Sequence, residues 1–411
     1  MKKVLIVGAG AQGGSCASIL ARDKDVSEIV LGDIDIELAN RVKNKIKSDK
    51  ITAVKLDAGK VEDIKHAARG VDAIINLTLI QFNGNIMKAA VENGAHYVDS
   101  ATGDPVWTQL TKGQPLELDS EFKKAGLTAL IACGGSPGVT NVLARYACDK
   151  LDRVDEIRVR LGGKSLEESK EVVSAWDPGW APEVALTDYA LPPGVFENGK
   201  HRVYPIFSGC EEYVFPDPVG PVVVTHHAHE ESVTLPRFIG KGIRYCDFKY
   251  PIDPIAGALV KMGFAERKAI DVKGAKVMPL DVVMKLVHHP VDTFLGEDEN
   301  AAKLPLEAVE LCVVEIRGAK AGENITYKLS WPYHLFTTVE EKMKMYQKFG
   351  ATRIAVALPA SVGARMCVAG EAERGVIAPE CLDAKRFLKM MANAGAPVQF
   401  EEICSKEVSV C

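Results

Sequence analysis

One hexapeptide constrains this chain more than any other feature: Gly8-Ala9-Gly10-Ala11-Gln12-Gly13. It follows the apolar run Val4-Leu5-Ile6-Val7 and precedes Ser15–Leu20, which suits a helix. Strand, glycine turn and helix together make a receptor for a dinucleotide pyrophosphate. Gly8 permits the tight turn, Gly10 lets the backbone approach the phosphates, and Gly13 lets the helix lie close to the sheet. Ala9, Ala11 and Gln12 complete a loop whose helix end offers unpaired N–H groups and partial positive charge. An acid, Asp33, falls 20 residues beyond Gly13, at the expected end of the second strand. A carboxylate there accepts hydrogen bonds from an adenosine ribose and repels a 2′-phosphate. Ile34 follows it, not Arg or Lys, so the expected cofactor is NAD rather than NADP.

The first part of the chain repeats this grammar. Strands are expected at Lys3–Val7, Glu28–Leu31, Thr52–Leu56, Ala73–Leu77, His96–Val98 and Leu127–Ala132. Helical patterns lie between them, at Ile36–Lys47, Val61–Ala68, Asn85–Asn93 and Ser120–Ala125. The strands are mostly continuously apolar rather than alternating, as in a parallel sheet covered by helices on both faces. After Gly138 the pattern changes. Val154–Leu161 alternates, with Glu156, Arg158 and Arg160 on a polar face, and Leu311–Ile316 and Ile325–Trp331 read as a hairpin across Gly318–Gly322. Buried helices are expected again at Ala355–Glu371 and Leu382–Ala392. The fold class is therefore α/β, an N-terminal Rossmann doubly wound parallel sheet plus an inserted α+β substrate and dimerisation domain. The expected division is 1–141, completed by 354–400, and 142–353.

Composition narrows the function. A net charge of -5 gives no reason to expect nucleic acid or an anionic membrane surface as partner. Apolar stretches break within about 10 residues, short of the roughly 20 that a spanning helix needs. Met-Lys-Lys before Val4–Val7 imitates a signal peptide, but the apolar run stops at Gly8 and suits a first buried strand better. The 10 cysteines form no CxxC pair and no zinc-like quartet with histidine, which points to a reducing cytoplasm and no metal.

Several further segments carry a resemblance. Val54-Lys55-Leu56-Asp57-Ala58, Ile74-Ile75-Asn76-Leu77 with Gln81-Phe82-Asn83, Tyr97-Val98-Asp99-Ser100, Gly135-Ser136-Pro137-Gly138 with Asn141, and Lys241-Gly242-Ile243-Arg244-Tyr245 occur in this order. Together with the opening loop they resemble the saccharopine dehydrogenase-like family over nearly the whole chain. In layout they look closest to its lysine 6-dehydrogenase branch. A departure is Cys246-Asp247-Phe248-Lys249, where the family usually continues with a Gly-His-like pair. The resemblance implies a homodimer and NAD-linked oxidation of an amino acid or related amine to an imine, or the reverse. It also implies that Asp57 and Ala58 lie near the adenine, and that Asn76, Leu77, Thr78, Gln81 and Ser100 lie along the cofactor.

Hydride transfer to nicotinamide asks the protein for geometry and one proton acceptor. Asp99 is the first candidate, because it ends the fifth strand, where ligands of open α/β sheets gather. Thr225-His226-His227-Ala228-His229-Glu230-Glu231 is the most unusual local composition in the chain. Adjacent residues of a strand face opposite ways, so one of His226 and His227 is expected at the substrate and the remaining histidines in solvent. Arg237 and Arg244 are candidates to clamp an amino-acid carboxylate, with Tyr245, Trp176, Trp180 and Tyr189 around the substrate. The same features admit a saccharopine- or carboxynorspermidine-type reductase that joins an amine to a carbonyl. They also admit an NAD-binding sensor or scaffold without turnover. Whether Asp99 and the histidine cluster face the nicotinamide separates catalysis from mere binding.

Overall fold

The computed structural model of the protein describes residues 2–102, 117–165, 176–296, 306, 308–334, 336–396 and 399–407. The apolar runs of the N-terminal part form the strands β1 (Lys2–Val7), β2 (Val26–Asp33), β3 (Ile51–Lys55), β4 (Ala73–Asn76), β5 (His96–Asp99) and β6 (Thr128–Leu130). They build a parallel sheet in the order β17-β6-β5-β4-β1-β2-β3, whose last member β17 (Gly375–Ile377) returns from far down the chain. Leu5, Ile6, Ile74 and Ile75 are wholly buried, because helices cover both faces. β1 pairs with both β2 and β4, so the strand order reverses beside it. That reversal opens a crevice at the carboxyl ends of the strands, the usual ligand position in such sheets.

The remaining strands make a mixed sheet. β7 (Arg153–Ser165), β8 (Gly194–Glu197), β9 (Lys200–Val203), β10 (Glu211–Val214), β11 (Pro221–His226) and β12 (Tyr245–Tyr250) precede a small separate hairpin of β13 (Ile270–Val272) and β14 (Ala275–Val277). The long hairpin β15 (Ala308–Lys320) and β16 (Glu323–His334) turns at Ala321-Gly322, and β18 (Glu401–Lys406) adds the outer strand. The order is β10-β11-β12-β7-β15-β16-β18, with β8 on β12 and β9 on β8. β7 and β12 run parallel while the neighbouring pairs are antiparallel.

One face of this sheet, with Ile157, Val159, Phe248, Val314 and Leu329, shares an apolar core with the helices Val139–Cys148 and Glu231–Ile239. The other face is not the solvated surface that alternation predicts. Arg160 is 1% exposed there, held by Asp247 at 2.8 and 3.0 Å and by Glu211, which Lys249 also contacts. The segment carrying Tyr213 and Phe215 folds over this face, so paired charges are buried rather than solvated.

The two final helices are Ala357–Val368 and Ala384–Ala394. The second starts two residues later than predicted because Leu382 is still extended and Asp383 caps the helix, accepting from Arg386 N at 2.7 Å. Ala357–Val368 packs beside the first helix, Ala11–Ala21, with the Cys16 thiol 3.3 Å from the Ser361 hydroxyl. Phe294, on the short helix Pro290–Gly296, lies against Gly14 of that same first helix. The nucleotide helix is thus buttressed from two distant parts of the chain.

Candidate active site

The cleft is assembled from the carboxyl ends of the parallel strands and from one edge of the mixed sheet. Its volume is about 190 Å³. Gln12, Leu77, Thr78, Ser100 and the Gly134–Pro137 loop line the nucleotide side. Trp180, Asp188, His227, His229, Glu230, Phe248, Tyr250 and Glu310 line the opposite side.

The residues of the glycine loop fit a dinucleotide. Gly8 has φ +101°, and a Cβ there would lie 2.8 Å from the Leu77 carbonyl oxygen; a Cβ at Gly13 would lie 1.8 Å from the Gly8 carbonyl oxygen. Turn and helix can close only without these side chains. Gly10 faces open space where its own Cβ would meet nothing within 4 Å. The helix Ala11–Ala21 has no side-chain cap, so its first N–H groups remain for a ligand. The buried Gln12 Oε1 has no hydrogen-bond partner within the protein. Asp33 Oδ2 accepts from Ala9 N at 2.7 Å and Oδ1 from Asp35 N at 2.9 Å, which pins the acid beside the loop; Ile34 next to it is 65% exposed. Asp57 and Ala58 follow β3. The Asp57 carboxylate serves its own turn, accepting from Gly59 N, and the Ala58 carbonyl accepts from Asn85.

Other expectations are corrected by geometry. Asn76 does not look into the cleft. Its amide donates to Asn83 Oδ1 and Tyr97 Oη, and its oxygen accepts from Thr78, so it shapes the end of β4. Gln81 is exposed, while its neighbour Ile80 reaches the cleft wall. Asp99 is 1% exposed and lies behind the wall. It shares a face of β5 with Tyr97, whose hydroxyl donates to it at 2.8 Å, and it accepts from Ala132 N at 2.7 Å. Burial pushes its carboxyl up to about 8.

Strand parity decides the corrections at Tyr245 and His226. Phe248 and Tyr250 line the cleft, so Tyr245 and Asp247 face away, with the Tyr245 hydroxyl donating to Asp247 at 3.0 Å. His226 goes the same way, its Nε2 3.4 Å from Asp247 Oδ2. Arg244 is exposed and pairs with Asp155 at 3.1 Å. Arg237 is exposed on its helix over Phe238. Neither arginine reaches the cleft. Trp176 is buried with Ala185, Leu186 and Tyr189 in a cluster behind the wall that Trp180 lines. Tyr189 stands edge-on to His227 at 5.0 Å.

The predicted solvation of the remaining histidines is also wrong. β11 stops at His226 and the next helix opens at Glu231, so the intervening turn carries both His227 and His229 into the cleft. Strict strand alternation missed this, although the His-Ala-His-Glu-Glu spacing was visible. His229 stacks on Phe248, with ring centroids 3.8 Å apart and 8° between planes. Its Nδ1 pairs with Glu231, whose other oxygen accepts from Ser136 Oγ at 2.6 Å and Thr140 Oγ1 at 2.8 Å. Burial opposes a charge on His229, but Glu231, then Glu230 and Asp188, overcome it and raise the imidazole to about 9. Burial also opposes ionisation of Glu231, yet His229, Ser136 and Thr140 hold its carboxyl below the usual range. His227 is driven to about 3 by burial and by His229, so it stays neutral. Glu230, raised by burial, accepts from Thr102 N at 2.8 Å.

Among the described residues, His229, Glu230 and Glu231 are the group with metal-like spacing, their ligand atoms all within 4.8 Å of one another. Their oxygens already serve Ser136, Thr140, Thr102 and the imidazole. The arrangement suits holding a proton.

A dinucleotide cradle at the switch point of a parallel sheet, facing a histidine–carboxylate pair, defines a nicotinamide-dependent oxidoreductase. Two family descriptions match the chain: the saccharopine dehydrogenase NADP binding domain over residues 4–130, and the saccharopine dehydrogenase C-terminal domain over residues 134–396. The chain belongs to the saccharopine dehydrogenase family. It is 25% identical over 410 residues to a carboxyaminopropylagmatine dehydrogenase of Synechocystis sp., covering 97% of each. It is 24% identical over 426 residues to a carboxynorspermidine synthase of Vibrio cholerae, covering 95% of each. In fold it is similar to the saccharopine dehydrogenase (L-Glu forming) of Saccharomyces cerevisiae, with TM-score 0.68, 15% identity and coverage of 98% of this chain and 100% of that one. The homospermidine synthase of Legionella pneumophila, solved with NAD, has TM-score 0.62 and 13% identity, with coverage of 97% and 91%.

Proposed function

We propose that this protein catalyses the NAD-linked reductive joining of a cationic amine to a carbonyl carbon, or the reverse oxidation of the resulting secondary amine. The observation that carries this reading is the charge of the cleft. Asp188, Glu230 and Glu310 line it with Trp180 and Tyr250, and no Arg or Lys lines it among the described residues. Carboxylates and aromatic faces attract ammonium or guanidinium groups. The names of the relatives, a carboxyaminopropylagmatine dehydrogenase and a carboxynorspermidine synthase, support an amine of this kind over free lysine.

The bound nicotinamide supplies or accepts the hydride. The glycine loop and the N-terminus of the first helix would hold the pyrophosphate, and Gln12, Leu77, Thr78 and Ser100, which line the cleft, would border the nicotinamide. His229 carries the proton. As the amine adds to the carbonyl and water departs, the imidazolium gives its proton to the leaving hydroxyl. In the oxidative direction the imidazole takes the ammonium proton before hydride can leave. Glu231 favours the charged imidazolium and fixes its orientation, and Phe248 fixes its plane. Neutral His227 offers a hydrogen bond without repelling the cation.

The test pairs di- and polyamines or guanidino-amines with small aldehydes and follows reduced nicotinamide by absorbance. Turnover is expected with cationic amines. Turnover of free lysine with no carbonyl partner would instead favour the lysine 6-dehydrogenase reading. The position of Asp33 supports NAD as the preferred form, and calorimetry should give tighter binding for NAD than for NADP. A homodimer is part of the same reading, supported by the resemblance and checked by sedimentation. A cytoplasmic location is supported by the free thiols of the nine cysteines among the described residues, six of them buried; fluorescence of a tagged chain checks it. No described helix is long and apolar enough to cross a membrane.

A further inference from the structure

Behind the His229–Glu231 pair lies a second acid that the proposed chemistry does not use. Glu380 sits in the short turn Pro379–Cys381, just after β17, and is wholly buried. Its Oε2 accepts from Asn141 Nδ2 at 3.0 Å, its buried Oε1 has no hydrogen-bond partner within the protein, and the Thr234 hydroxyl beside it holds its carboxyl down. Asn141 donates in turn to Thr234 Oγ1 at 3.0 Å, and its oxygen accepts from Gly138 N at 2.9 Å. The neighbouring Thr140 donates to Glu231. A continuous polar seam therefore runs from the cleft through His229, Glu231, Thr140 and Asn141 to Glu380. It crosses the interface of two helices with a segment some 240 residues further along the chain.

We infer that Glu380 is a positioning residue for the site, a buried carboxyl whose charge sets how firmly Glu231 keeps the proton on His229. This rests on the reading of His229 as the proton carrier. The charged neighbours are few. From the helix Glu231–Ile239, Glu231 faces Glu380; from β12 comes Cys246, and from its own turn Cys381, both thiols held neutral by burial. Arg145 lies beyond Cys381 and pairs with Asp149. Around His229 the charged or titratable groups are Glu231, Glu230, Asp188 and His227. No cation neutralises Glu380 among the described residues. Burial first, and then Glu231, move it up to about 7. It is therefore ionised over the alkaline range in which His229 loses its proton. A second buried negative charge there favours the imidazolium.

The experiment is a histidine-labelled NMR titration of the cofactor-free protein, with the His229 signal assigned by its loss in His229→Gln. In the wild type, the His229 signal should show a minor inflection near neutral pH and a main one at alkaline pH. Glu380→Gln should abolish the minor inflection and lower the main midpoint by roughly half a unit or more, with the other histidines unmoved. Thr234→Val, a gentler change, removes the hydroxyl that holds the Glu380 carboxyl down and should move the minor inflection upward. An unchanged His229 midpoint in folded Glu380→Gln overturns the inference, as does an equal shift of every histidine. Activity separates the two ideas. Full turnover in His229→Gln would sink the proton-carrier reading, whereas an unmoved midpoint alongside an inactive His229→Gln sinks only the role of Glu380.

Discussion

At the scale of single residues, two acids with opposite surroundings carry different roles. Asp99 is enclosed by Tyr97, Asn83 and the Ala132 N–H, with no cation beside it among the described residues. With its folded pKa at about 8, above the ordinary 3.8, the folded state holds a proton that the unfolded chain releases. Its contribution to stability is full at acid pH and is lost as pH rises between those values. Asp99→Asn should therefore gain on the wild type by about 1 kcal/mol per pH unit across that window, measured by denaturant unfolding at pH 5 and pH 8. Because Asp99 lies behind the wall, turnover of the variant should stay within about tenfold, as a residue outside proton-transfer reach contributes little. His229 is raised for the opposite reason, against the opposition of burial and by neighbouring carboxylates. Its pKa is raised from 6.5 to about 9, so the stabilisation it gives is complete below 6.5 and is lost as pH rises through about 9. Glu231, held low, gives stabilisation that is present above its ordinary range and lost as pH falls into acid. His229→Gln should lower kcat by about 10²–10⁴-fold, the range for loss of a positioned acid–base group.

Among the elements, the glycine loop separates space needed for folding from space kept for a ligand. At Gly13 any Cβ collides with the Gly8 backbone, whereas at Gly10 there is room. Gly13→Ala should destabilise the fold by about 2–4 kcal/mol, as expected when a packed backbone contact is forced apart. Gly10→Ala should melt like the wild type yet bind NAD at least about tenfold more weakly, since the added methyl occupies the close approach made for the pyrophosphate. Differential scanning fluorimetry and calorimetry on the same samples distinguish the two effects. β11 makes a related point. Its pairing with β12 ends at Thr225 and His226, and it is the turn that follows that carries His227 and His229 into the cleft.

For the whole molecule, the mixed sheet holds one edge of the cleft while its far face hides a charge network. Arg160 lies between Asp247 and Glu211, and Lys249 completes the set. Removing a single partner leaves buried charge uncompensated, so Arg160→Met should cost about 3–5 kcal/mol, measured by urea unfolding. Because the cluster faces away from the cleft, the KM for the amine should be unchanged in the folded fraction. Much of the parallel sheet was legible because strands buried on both faces are mainly apolar, as the cores of β1, β2 and β4 are, whereas the edge strand β3 is half-exposed. The far face of the mixed sheet was not legible. An alternating strand tells which residues share a face, but not whether another segment covers it.

The same division runs through the site. The sequence alone determined the nucleotide half, because a glycine turn between an apolar strand and a helix leaves the backbone few other ways to close, and Gly8, Gly13 and Asp33 are local to it. Only the tertiary structure decided the proton-handling half. His229 and Glu231 become a buried charged pair through packing against Phe248, Ser136 and Thr140, which come from separate elements. Asp99 and Arg237, chemically plausible on paper, were turned inward or outward by the face of the strand or helix on which each falls, and Arg244, just before β12, pairs with Asp155 at the surface. Burial and facing are properties of packed neighbours, and a linear pattern states them only where one local element supplies every neighbour.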